Sequence, residues 1–131
     1  MIISTLRIVP SPKQHSAVLE ILLSVLGPTE IQPGCLSCGV YEEKGPDHAV
    51  VFRAHWETES ALHEHICSDL YRCVLAACEL ANRAPEFCFH HVTRTRGMDL
   101  IQQLRGCSGD NPHALSQAPA RQDTYAHKTN L

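Results

Sequence analysis

No apolar run in this 131-residue chain approaches the length needed to cross a membrane. Its first residues, MIISTLRIVPSP, lack the charged-then-apolar pattern of a signal peptide, so the chain reads as cytoplasmic. An excess of positive charge is also missing. A formal charge of -3 and a pI near 6.3 give no electrostatic reason to expect nucleic acid as a partner. Equally absent are a Gly-rich phosphate loop, a dinucleotide fingerprint, a nucleophile elbow and paired carboxylates at catalytic spacing. What remains is ordinary for a globular protein: 44% apolar and 19% charged residues, enough for one domain with a core and too few for two.

Cysteine is the exception, with seven residues at positions 35, 38, 67, 73, 78, 88 and 107. An odd number without an export signal argues against a disulfide framework. Cys73, Cys78 and Cys88 lie among Leu, Val and Phe and read as small buried apolar residues. Cys35 and Cys38 have the spacing of half a zinc site, but no second half matches. On a strand of period two they would point to opposite faces. Histidines are also plentiful in HWETESALHEHICSDLY, residues 55–71. On a helix His63 and Cys67 could meet, while His65 lies about 200° around from His63 and would pair with Asp69 if the helix ran on. His90 and His91 face opposite sides of a strand. No three or four ligands converge, so no metal is expected. Cys35, following Gly34, is the best-placed thiol nucleophile, although a small residue fitting a crowded turn explains it as well.

Residues 2–9 are β-branched and alternating, which predicts a strand. Ser11-Pro12 then reads as a helix cap with proline at the first helical position, and Gly27-Pro28 as the stop. Pro33-Gly34 marks a turn. Strands follow at 35–43 and 49–56, joined by Lys44-Gly45-Pro46-Asp47. Thr58 can cap a helix over 59–67 and Ser68 a second over 69–82, with Leu70, Cys73, Val74, Ala77, Cys78 and Ala81 on one stripe. The last strand covers 87–92. The resulting β-α-β-β-α-β order is α+β, ferredoxin-like, with an antiparallel sheet. This domain ends near residue 95. The extension 96–131 carries a short helix over 97–105 and then a polar segment expected to be a mobile tail.

Three segments together, PGCLSCGVYEE (33–43), VVFRAHWETESALHEHICSDLY (50–71) and PEFCFHHV (85–92), resemble the antibiotic biosynthesis monooxygenase superfamily over roughly residues 2–94. The resemblance implies a homodimeric α+β barrel in which two sheets pack face to face, with a pocket between each sheet and its helices. The sequence fits that arrangement, since Val50, Phe52, Ala54 and Trp56 alternate with Val51, Arg53 and His55. It also implies an oxygenase that oxidises a small phenol or quinol without metal, flavin or haem. His65 would be the general base or phenolate partner. Trp56 would wall the pocket or hold His65, and Tyr71 and Arg7 would orient a phenol or an anionic oxygen. Haem-degrading relatives carry an Asn on the first strand, then a Trp and an axial His. Here IISTLRIV has no Asn, and His65 and Leu75 stand in the other two places. The alternative reading is a non-catalytic dimeric binding or stress-related module of the same fold.

Overall fold

The computed structural model describes residues 1–106. The expected mobile tail falls almost wholly outside them. Four strands and four helices follow in the order β1 (Ile2–Ile8), α1 (His15–Glu30), β2 (Cys35–Glu42), β3 (Val50–Trp56), α2 (Glu59–Ile66), α3 (Tyr71–Cys78), β4 (Glu86–His91) and α4 (Met98–Arg105). The sheet is antiparallel and open, ordered β2-β3-β1-β4. This is the ferredoxin-like α+β architecture.

Register divides the residues between two faces. Ile2, Ser4, Leu6 and Ile8 of β1 lie beside Trp56, Ala54, Phe52 and Val50 of β3. Helix α1 covers that face with Val18, Leu22 and Val25, and α3 with Val74 and Ala77, so the main core is a sheet–helix sandwich. Trp56, Ile2, Cys38, Ala54 and Leu62 form a second cluster at the other end. Thr5, Arg7, Val51, Arg53 and His55 occupy the opposite face, which no helix among the described residues covers. There the Arg53 guanidinium sits 5.5 Å above the Tyr41 ring.

Several local expectations need correction. Helix α1 begins at His15, because Ser11 is held elsewhere: its N–H donates to the Leu80 carbonyl at 3.0 Å, and its own carbonyl accepts from Gln14. The helix also runs through Pro28. Proline leaves only the Ser24 carbonyl without a helical donor, and Ser24 is exposed, so solvent can meet it. The chain turns instead at Gly34, whose φ of 86° suits glycine. Ser68 does not cap α3; its hydroxyl donates to the His65 carbonyl at 2.6 Å and closes α2. The break removes the expected His65–Asp69 pairing, and α3 starts two residues later than expected and ends at Cys78. Cys73 and Cys88 are exposed and Cys78 is only partly buried. Strand β4 is an edge with every residue exposed, which is why Cys88 is not core.

Candidate functional site

His65 is the most deeply placed titratable group beneath the sheet, only 3% exposed on the inner side of α2. It arrives there because Thr58 caps α2, accepting from the Ala61 N–H at 3.1 Å, and Leu62 and His65 then share the buried stripe. Three side chains fix the ring. Trp56 lies against it with centroids 4.6 Å apart and planes tilted by 31°. Tyr71 meets it edge-on at 5.1 Å. Gln32, in the turn after α1, sets its Oε1 2.6 Å from Nδ1. An amide oxygen only accepts, so Nδ1 is the donor, and Nε2 carries the lone pair. Among the described residues no hydrogen bond engages Nε2. Burial pushes the His65 pKa down to about 4, which keeps the ring neutral at physiological pH.

Trp56 is fully buried and supports His65 rather than bounding the opening. Its indole N–H donates to Ser4 Oγ at 3.3 Å, and Ser4 lies within reach of the Ala54 carbonyl at 3.4 Å. Tyr71 stands at the start of α3, its hydroxyl held above the ordinary pKa by burial. His65, Tyr71, Leu62 and Ile66 face Ser4, Leu6, Phe52, Phe87 and Phe89 across a narrow cleft. Its open volume is about 10 Å³, room for one water.

Arg7 is not brought to this cleft. It lies on the uncovered sheet face, where its guanidinium donates to both Glu43 oxygens at 2.8 and 2.9 Å and reaches Glu86 at 3.4 Å and Asp47 at 3.6 Å. These carboxylates, Glu43 first, raise its pKa further. Adjacent β-strand residues point oppositely, so a strand position next to Leu6 could not also face the helices. Three other partners have no signal in the sequence that marks them. Gln32 carries nothing beyond its place before Pro33-Gly34, and the strand pattern over 87–92 does not say which face Phe87 and Phe89 take. Among the described residues no three His, Cys, Asp or Glu side chains are placed to hold a metal ion together.

Solved structures with this fold include a candidate antibiotic biosynthesis monooxygenase from Deinococcus radiodurans, 18% identical, with a TM-score of 0.67 over 74% of this chain and 97% of that one. Rv0793 from Mycobacterium tuberculosis is 24% identical, with a TM-score of 0.66 over 73% and 98%. PA3566 from Pseudomonas aeruginosa is 15% identical, with a TM-score of 0.63 over 71% and 94%. At these identities the likeness concerns the fold. No curated protein of known activity matches the chain. The sequence model of one family does fit, over residues 1–76, more than half of the chain. With the four-stranded ferredoxin-like sheet, that match makes this protein a member of the antibiotic biosynthesis monooxygenase family.

Proposed function

We propose that the protein is a cofactor-independent monooxygenase that oxidises a small phenol or quinol in the cleft beneath the sheet. One observation carries this reading: His65 is buried and neutral, and its Nδ1 is tied to Gln32, leaving the Nε2 lone pair for a ligand beside Tyr71. In the overall change, a ring C–H becomes a carbonyl, one atom of O₂ enters the substrate and the other leaves as water. The phenol supplies all four electrons. Moving a proton from a phenol of pKa about 10 to an imidazole near 4 costs about 8 kcal/mol. His65 therefore accepts a hydrogen bond in the resting complex and takes the proton only as the ring gives up electrons. Tyr71 orients the substrate oxygen, and Trp56 holds His65 in place. The edge rings Phe87 and Phe89, both 42% exposed, must swing outward to admit an aromatic.

The uncovered sheet face supports a homodimer of the barrel type. Val51 and Tyr41 sit on it, backed by the half-buried His55. A second reading, a non-catalytic dimeric binding or stress-related module, is favoured by the cleft's small volume of about 10 Å³.

The test is oxygen consumption by chelator-treated protein with a panel of quinols and polycyclic phenols, with His65→Gln alongside and its fold checked by circular dichroism. Turnover that survives chelation and falls about 100-fold in the variant is expected. Turnover indifferent to His65, or substrate binding without oxygen uptake, overturns the assignment and leaves the binding module.

A further inference from the structure

Cys35 and Cys38 open β2 at a break in its register. Cys35 lies across from Trp56, but Ser37, not Leu36, lies across from His55, and Cys38 follows across from Ala54. Leu36 is thus the extra residue of a β-bulge. The bulge cancels the alternation that would separate the two cysteines. Both end on the helix-covered face, because Trp56 and Ala54 share that face, and this overturns the expectation that they point apart. There both side chains join one cluster with Trp56 and Ala54, and the Cys35 Sγ lies 3.6 Å from the Ser37 carbonyl.

The pair is asymmetric. Cys38 is 5% exposed, with its Sγ 3.6 Å from the Leu26 carbonyl, whereas Cys35 is partly open to solvent. The neighbouring Cys38 side chain holds the Cys35 thiol below the ordinary cysteine pKa, against the effect of burial. The Cys35 side chain, aided by burial, raises Cys38. One sulfur is therefore reachable and biased toward the thiolate, and the other waits behind it as a thiol.

We propose that Cys35 and Cys38 form a redox-active dithiol that exchanges with small disulfides of the glutathione class, Cys35 attacking and Cys38 resolving. The Cys35 thiolate attacks one sulfur of the small disulfide, a mixed disulfide forms, and the first small thiolate leaves with the Cys35 proton. Cys38 then attacks Cys35 Sγ, and the second small thiolate takes the Cys38 proton as it departs. Two protein thiols are oxidised and one small disulfide is reduced to two thiols, so electrons and protons balance. This activity is independent of the oxygenase reading and needs no aromatic substrate. Its position matters nonetheless, since the Cys35 N–H donates to the Gln32 carbonyl at 3.0 Å and the Gln32 side chain holds His65.

The experiment equilibrates reduced full-length protein in anaerobic mixtures of reduced and oxidised glutathione, quenches with acid, alkylates and maps the tryptic peptides. Cys35 and Cys38 share the peptide that ends at Lys44, which holds no other cysteine. We expect that peptide to become two hydrogens lighter while Cys67 and Cys73 stay alkylated. Emission of Trp56, the sole tryptophan, should change at the same glutathione ratio. Cys38→Ser should stop at a glutathione adduct on Cys35, and Cys35→Ser should abolish reaction at this site. Failure of the 35–38 link to form at any ratio, or oxidation of Cys67 and Cys73 ahead of it, overturns the proposal. Because the peptide map uses the unaltered chain, it decides the matter even if a variant does not fold.

Discussion

Gln32 and His65 stand 33 positions apart in sequence and 2.6 Å apart in space, and their contact decides which imidazole nitrogen bears the proton. Replacing Gln32 with Leu leaves a buried N–H without a partner. We expect a loss of about 1–3 kcal/mol in urea unfolding, with nitrogen NMR of the imidazole shifting away from the Nδ1–H tautomer. An unchanged tautomer would mean that something other than Gln32 sets it.

The depressed His65 pKa makes stability depend on pH with a definite sign. Above the unfolded value of 6.5 both states hold a neutral ring, and the full stability is present. Between 6.5 and about 4 the unfolded chain binds a proton that the folded chain refuses, so stability falls as pH falls. The loss across that window is about 3 kcal/mol from this residue. In His65→Gln the slope between those values should flatten; an identical slope in both proteins would show that His65 is not the titrating group.

Gly34 is required twice over. Its φ is 86°, and an added Cβ would fall against the Ala61 Cβ of α2. Its carbonyl also accepts from Glu57 N–H at 2.8 Å, tying the turn to the end of β3. Gly34→Ala should cost about 2–4 kcal/mol, and adding Ala61→Gly should recover only the steric part. Full recovery in the double variant, measured by chemical unfolding, would show that the backbone angle carries no cost.

If the uncovered sheet face pairs with a second copy, His55→Glu buries a charge from each copy in the interface. Sedimentation of the wild type as a dimer and of the variant as a monomer is the expected pair of results. An intact variant dimer would move the interface elsewhere.

The element order was legible because it rests on periodicity, turn residues and caps, and Thr58 caps α2 as its hydroxyl predicts. His65 and Tyr71 were reachable from the same pattern plus a family likeness, and the structure brings both to one cleft with Trp56 behind. Arg7 was not placed correctly because its face follows from its neighbour Leu6, and charge alone does not reveal that. The bulge at Leu36 was invisible for a different reason. It depends on register against β3, a long-range property that the local string Cys-Leu-Ser-Cys does not encode. Pro28 misled because proline ends a helix only where its missing donor cannot be replaced by water.

Strand β1 precedes both of its partners along the chain, yet it lies between β3 and β4 in the finished sheet. Its two hydrogen-bonding edges are met by residues 50–56 and 86–91, so in the nascent chain this apolar strand stays unpaired until β3 has followed it out. No stable hairpin is available to it early, because its neighbours in sequence are a turn and a helix. The sheet closes only when β4 has left the exit tunnel, and until then β1 is the segment a chaperone would meet.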